Sequence, residues 1–249
     1  MNPVILIPAR YASTRFPGKP LALLGGHPII EHVWRRASAV CTATYVATDD
    51  ERIADAVRGF GGNVIMTRAD HRSGTDRIGE AVSLLGDAYD VAVNVQGDEP
   101  FIEAEQIKTL IAQFEAPEVD IATLSTPCQS PAEVKDPNVV KVVAGATGNA
   151  LYFSRHPVPY QRGVEKEEWF EHFPYQKHVG IYAYRTSVLK QVVTLSPSSL
   201  EKAESLEQLR WLDAGYCIRV VPTRHCTIGI DTPADLEAAE RILKGGNLG

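Results

Sequence analysis

The sequence predicts an α/β protein on a doubly wound, mostly parallel sheet, with a smaller lobe that contains a β-hairpin. Three observations carry that prediction. Short β-rich runs alternate with amphipathic helical stretches through the first half. The strand candidates at residues 4–7 and 91–95 are nearly all apolar, as expected where helices cover both faces of a parallel sheet. The second half changes character around Gly145-Ala146-Thr147-Gly148, which reads as a hairpin turn.

Residues 4–7 open the sheet, and a helix follows over 28–40 with Ile29, Ile30, Val33, Trp34 and Ala37 on one face. Residues 44–48 form the next strand. Residues 49–58 form a helix opened by acidic residues and closed by Gly61-Gly62. A third strand is read at 63–67, a third helix at 74–85 and a fourth strand at 91–95. Residues 102–114 then carry Ile107, Leu110, Ile111 and Phe114 at helical spacing. In the second half, 139–143 and 151–154 are the hairpin strands, and 162–172 is polar, a loop or lid-like excursion. A strand at 179–184, a helix at 204–214 stopped by Gly215, and a strand at 216–221 follow. Thr232-Pro233-Ala234-Asp235 resembles a capping box with proline at the first helical position, opening a last helix to about residue 243. The tail 244–249 is expected to fray. The chain reads as a single domain, with roughly 1–125 as one half, roughly 126–220 as a lobe, and 221–249 returning to the main sheet.

With 44% hydrophobic residues the chain can bury a substantial core. A formal net charge of −6 without a long basic run excludes nucleic acid as a partner. Cys41, Cys128, Cys217 and Cys226 show neither a CxxC pair nor metal-ligand spacing, so they read as reduced or buried thiols. The apolar run near the N-terminus is too short for a signal sequence or a membrane span, and a cytoplasmic protein is expected.

In an open parallel sheet, ligands bind beyond the carboxyl ends of the strands, so the residues just after each strand matter most. The first strand ends in a loop with Arg10, Arg15 and Lys19, three cations in ten residues, held by Pro8, Pro17, Gly18 and Pro20. Two guanidiniums and one ammonium suit a polyphosphate. The loop is not a Walker A motif, because Gly18-Lys19 is followed by Pro20. Charge alone leaves a solvated basic loop open; the position directly after the first strand favours a ligand. Asp98 follows the strand 91–95 and Asp231 follows Ile228-Gly229-Ile230. Asp98 could belong to a turn and Asp231 could cap the last helix. Ser73-Gly74-Thr75-Asp76 precedes a helix and reads equally as a ligand-binding N-terminus or a plain cap. His178, Gly180 and Tyr182 fall on one face of their strand. Lys141, among valines, reads either as a site residue or as an edge-strand lysine.

The run Ile7-Pro8-Ala9-Arg10-Tyr11-Ala12-Ser13-Thr14-Arg15-Phe16-Pro17-Gly18-Lys19-Pro20-Leu21 resembles the opening signature of the 3-deoxy-manno-octulosonate (Kdo) cytidylyltransferases. The likeness continues in order through Met66-Thr67-Arg68-Ala69-Asp70-His71, Ser73-Gly74-Thr75-Asp76-Arg77 and Asn94-Val95-Gln96-Gly97-Asp98-Glu99-Pro100. Ala150-Leu151-Tyr152-Phe153-Ser154-Arg155 and His178-Val179-Gly180-Ile181-Tyr182 follow. Glu204-Ser205-Leu206-Glu207-Gln208-Leu209-Arg210 and Gly229-Ile230-Asp231-Thr232-Pro233 complete it. One such motif would be weak, whereas the ordered set spans nearly the whole chain.

The resemblance implies transfer of CMP from CTP to the anomeric hydroxyl of Kdo or its 8-amino analogue, with release of pyrophosphate, for lipopolysaccharide biosynthesis. It implies that Arg10, Arg15 and Lys19 hold the phosphates and, with Asp98, form the catalytic set. Pro8, Ala9, Ser73, Gly74, Arg77 and Gln96 would surround the nucleotide, and Asp98 and Asp231 would bind Mg2+. Gln96, Arg155, His178, Tyr182, Glu207 and Gln208 would form the sugar-acid pocket, Arg155 gripping the carboxylate. A homodimer in the cytoplasm is implied as well. Two other readings stay open at this point, a cytidylyltransferase for a sialic acid and a non-catalytic nucleotide-binding protein on the same fold. Sialic acid enzymes typically continue the loop as Lys-Asn, where this chain has Lys19-Pro20. A glycosyltransferase that consumes the CMP-sugar is a further possibility.

Overall fold

Strand β1 (Pro3–Ala9) takes the middle of a parallel sheet because both its faces are apolar, with Val4, Ile5, Leu6 and Ile7 fully buried. Each such side chain contributes about 1.5–3 kcal/mol through removal from water. The computed structural model describes residues 1–13, 15–225 and 228–245. These fall into two units, Met1–Ile111 with Thr227–Gly249, and Ala112–Cys226.

In the first unit β1 is followed by the small antiparallel pair β2 (Leu23–Leu24) and β3 (His27–Pro28), then by α1 (Ile29–Ser38). The chain continues as β4 (Thr44–Thr48), α2 (Glu51–Gly59), β5 (Asn63–Met66), α3 (Gly74–Leu85), β6 (Val91–Asn94) and α4 (Ala104–Ala112). The four long strands lie in the order β6-β1-β4-β5, all parallel. Helix starts depart from the sequence reading where a side chain acts as the cap. Asp50, read inside a helix, instead caps α2 by accepting from the backbone N–H of Arg52.

The second unit contains β7 (Ile121–Pro127), α5 (Pro131–Lys135), β8 (Lys141–Ala144), β9 (Ala150–Ser154), α6 (Trp169–His172) and β10 (Gln176–Arg185). It continues with α7 (Thr186–Val192), α8 (Ser199–Glu204), α9 (Gln208–Asp213) and β11 (Ile218–Pro222). β10 pairs antiparallel with β7 and β8, β8 pairs antiparallel with β9, and β11 runs parallel to β7. The last helix, α10 (Pro233–Gly245), belongs to the first unit.

Four features of the second unit differ from the sequence reading. β7 was not anticipated, although six of its seven residues are buried. The helix expected over 204–214 is shortened to α9, and Ser205, whose φ of 53° lies in the left-handed region, separates it from α8, which was not anticipated. Lys141 is not at an edge, since β8 is flanked by β10 and β9. It is fully buried, and its ammonium donates to the carbonyls of Asp136 and Val139. The polar stretch 162–172 is a packed segment rather than a free excursion. Trp169 is buried with Cys128, Val134 and Tyr175, and its indole N–H donates to Val164 O at 3.0 Å. Cys226 and residues 246–249 of the expected tail lie outside the described residues.

Candidate active site

The loop after β1 is closed by its own backbone. Gly18 N–H donates to Tyr11 O at 2.9 Å, and Gly18 has φ 72°, which a side chain would strain. Tyr11 packs under the guanidinium of Arg52, 3.3 Å from its ring centroid. The result is a fixed frame from which Arg10, Arg15 and Lys19 project. Two further loops press against it. A Cβ on Gly97 would lie 2.9 Å from Pro8 O, and one on Gly74 would lie 3.1 Å from the Pro8 ring. Both positions need glycine for close approach, and through them the segments after β1, before α3 and after β6 meet.

A cavity of about 240 Å³ opens where they meet. Its walls include Pro8 and Ala9, Arg10, Arg15 and Lys19, Ser73, Gly74 and Arg77, Gln96, Asp98 and Asp231. Every residue expected at the nucleotide or the metal thus reaches one cavity of the first unit. Ser13, Pro20, His71 and Arg72 also line it, although the sequence reading did not assign them. His71 is tied to Glu80, which also accepts from the Arg68 N–H at 3.0 Å. Burial acts to raise the pKa of Glu80, but these bonds hold it below its ordinary value.

The charges inside the cavity are interleaved. The Lys19 ammonium bridges two carboxylates, 2.5 Å from Asp98 Oδ2 and 3.1 Å from Asp231 Oδ1, and Arg15 lies 3.2 Å from Asp231 Oδ2. Asp98 and Asp231 are brought side by side by the backbone, where Ile230 N–H donates to Asp98 O at 2.9 Å. The Arg15 pair is exposed and contributes only ~0–1 kcal/mol, so it can rearrange around a ligand at little cost. Arg10 is exposed and forms no ion pair among the described residues. Next to Asp98, burial and then the Asp98 charge push the Glu99 carboxyl up to about 8, so it is neutral at pH 7.

The capping alternative for Asp231 fails on geometry. Asp235 N–H donates to Thr232 Oγ1 at 3.3 Å, and Asp235 Oδ2 accepts from the N–H groups of Thr232 and Asp231 at 2.8 and 3.0 Å. Thr232 and Asp235 cap α10, which leaves the Asp231 carboxylate to the cavity. Ser73 does cap α3, accepting from Asp76 N–H at 3.0 Å, and lines the cavity too. Arg77 is at the wall, but its guanidinium turns to Thr67 Oγ1 at 2.6 Å and Asp49 Oδ1 at 2.9 Å. Buried and paired, it supports the α3 start more than it offers a free charge.

Among the described residues, no group of three or more His, Cys, Asp or Glu side chains could hold a metal. Two carboxylates around one cation locus nevertheless fit Mg2+, which keeps waters and takes substrate phosphate oxygens beside one or two carboxylates.

In the second unit, His178 and Tyr182 lie with ring centroids 5.2 Å apart, and Tyr182 packs edge-on against Trp211 at 5.1 Å. Burial lowers the His178 imidazole to about 3. Burial and then the Glu207 carboxylate hold the Tyr182 phenol well above its ordinary value. The Tyr182 hydroxyl is buried and meets no group of the described residues in full hydrogen-bond geometry, although Thr123 lies close enough to draw its pKa down against the burial. Gln208, at the first turn of α9, is buried as well. Arg155, expected to grip the carboxylate, spends three of its five guanidinium N–H groups on backbone carbonyls. Its guanidinium donates to Glu204 O at 2.6 Å, Pro137 O at 2.9 Å and Ser205 O at 3.3 Å, so it holds the left-handed break between α8 and α9.

A family model described as Cytidylyltransferase matches residues 4–219. The chain is 55% identical over 242 residues to a 3-deoxy-manno-octulosonate cytidylyltransferase of Phocaeicola vulgatus, covering 96% of each chain. It is 54% identical to the protein of the same name from Bacteroides thetaiotaomicron, over 96% of this chain and 97% of that one. Among solved structures, CMP:2-keto-3-deoxy-manno-octonic acid synthetase complexed with CTP superimposes with a TM-score of 0.91 at 45% identity, covering 99% of this chain and all of the other.

Proposed function

Because the chain belongs to the 3-deoxy-manno-octulosonate cytidylyltransferases, enzymes that transfer CMP from CTP to Kdo, we propose that its first-unit cavity binds CTP and catalyses by charge alignment. The observation that carries this reading is the Lys19 bridge between Asp98 and Asp231, at a loop whose arginines face the same cavity. Arg10, Arg15 and Lys19 take the triphosphate, and the Lys19 and Arg15 charges shift from the carboxylates to the phosphates as it binds. Pro8, Ala9 and the Ser73–Gly74 turn enclose the pyrimidine, and Gln96 offers its amide to the nucleotide or the sugar. Asp98 and Asp231 would hold Mg2+, which would supply screening of the phosphate charge and of the leaving pyrophosphate. The anomeric hydroxyl of the sugar attacks the α-phosphate in line and gives up its proton to solvent, the phosphoanhydride bond breaks, and the departing charge falls to the fixed cations. No covalent enzyme intermediate is required. In the second unit His178, Tyr182, Glu207 and Gln208 supply hydrogen bonds to the sugar, and Arg155 fixes the segment that presents Glu207.

CTP is expected to be strongly preferred over ATP and GTP, and EDTA to abolish turnover. The check is incubation with Mg2+, each nucleotide and Kdo, with the product identified by mass. Equal rates with ATP, or full activity without metal, would remove the reading.

We also propose a cytoplasmic homodimer. The described cysteines Cys41, Cys128 and Cys217 are free thiols, which supports a reducing compartment. Strand β9 pairs only with β8 among the described strands and leaves Leu151 65% exposed, an outer edge suited to a second copy. Light scattering at micromolar concentration should return twice the chain mass; a monomer would refute the assembly and leave the enzymology intact.

A further inference from the structure

The pairing of β10 with β7 shifts register between Val179 and Tyr182, opposite Leu124 and Thr123. The Thr123 hydroxyl occupies that irregularity. Its Oγ1 lies 2.8 Å from Ile181 O, 3.2 Å from Val179 O and 2.9 Å from His178 Nε2. Carbonyl oxygens only accept, so the single hydroxyl proton of Thr123 goes to them. What remains on Oγ1 toward His178 is a lone pair, and Nε2 must carry a proton to use it. The ring is held in place by Phe153, edge-on at 5.1 Å, and by Tyr182. Nδ1 has no hydrogen-bond partner among the described residues.

We propose that Thr123 is a positioning residue that locks His178 as its Nε2–H tautomer, leaving Nδ1 as a lone-pair acceptor for a sugar hydroxyl. The reading rests on the assignment of His178 to Kdo. An imidazole with both nitrogens protonated, or with the opposite tautomer, would offer the sugar a donor instead. Burial around the ring keeps it neutral at working pH, in accord with a fixed single proton. The strand face bearing His178 is therefore selective for a ligand group that donates, and Thr123 sets that polarity without touching the ligand.

Long-range 1H–15N correlation on histidine-labelled full-length protein reports which ring nitrogen carries the proton. The His178 signal is identified by its loss in His178→Ala. Wild type should show Nε2 protonated and Nδ1 unprotonated. Thr123→Val, close in shape but without the hydroxyl, should lose that preference. It should also raise KM for Kdo by about 10-fold, the scale of one hydrogen bond, with KM for CTP unchanged. Thr123→Ser should restore both. A wild-type ring protonated on Nδ1, or a Val variant with the wild-type tautomer and KM, would overturn the proposal. If the Val variant does not fold, the wild-type spectrum still decides the tautomer. The sugar assignment is tested apart from this: an unchanged Kdo KM in His178→Ala would reject it while leaving the tautomer result standing.

Discussion

Replacing Asp98 by Asn is expected to lower kcat by at least ~10²-fold, the scale of losing one fixed electrostatic element in an active site, with the fold intact. The carboxylate lies 2.5 Å from the Lys19 ammonium and beside Asp231, so one neutral amide removes half of the negative charge around the proposed metal locus. Asp231→Asn should behave alike. It is half-exposed and takes no part in capping α10, where Thr232 and Asp235 make the reciprocal bonds. Its loss should therefore leave Tm nearly unchanged while kcat falls. Steady-state kinetics beside thermal melts separate the two effects. An Asp231→Asn protein with lowered Tm and wild-type kcat would make that carboxylate structural and overturn its place at the metal.

Kdo should be used about 10⁴-fold more efficiently than N-acetylneuraminate. Both are 2-keto acids, so the carboxylate cannot discriminate; the hydroxyl-facing groups must. The Tyr182 hydroxyl is buried with Thr123 beside it but in no full hydrogen-bond geometry, and the His178 ring is desolvated. A ligand that fails to satisfy such groups leaves their desolvation uncompensated, which in favourable cases rejects it by 10⁴ or more. An acetamido group adds bulk as well as a mismatched edge. Competing the two sugars for limiting enzyme and weighing the CMP products measures the ratio. Efficient formation of CMP-neuraminate would overturn the role given to this cluster. The 8-amino analogue differs from Kdo by one charge, and an acidic group beside that position, Glu207 or another, would favour the cation. The same competition with 8-amino-Kdo reads that preference directly.

Much of the first unit was legible because its signals are local. A run such as Val4–Ile7 is apolar on both faces whatever surrounds it, and Ser73 and Thr232 announce helix starts within four residues of sequence. The order of loops after successive strands then placed Arg10, Lys19 and Asp98 at one end of the sheet, since parallel strands carry their ligands there; Asp231 reaches them from the segment before α10 instead. The second unit was harder to read. β7 is buried at nearly every position and lacks the alternation that marks a strand, so only its neighbours β10 and β11 define it. The segment containing Trp169 looked polar because its one core residue is surrounded by charges.

What the amino-acid sequence determined by itself was the fold class, the family, and the identity of the charged residues that gather at the first-unit cavity. What only the tertiary structure decided was which way those side chains are committed. Arg77 and Arg155 read as ligand-facing guanidiniums, and the fold also binds them to Asp49, Thr67 and backbone carbonyls. Asp231 read as a possible cap and is instead paired with Lys19. Thr123 carried no signal at all, because its importance comes from a register shift that sets it against a histidine 55 residues away. A side chain's type is written in the chain. The partner that claims its hydrogen bonds is chosen by distance in the folded state, and no local pattern encodes that distance.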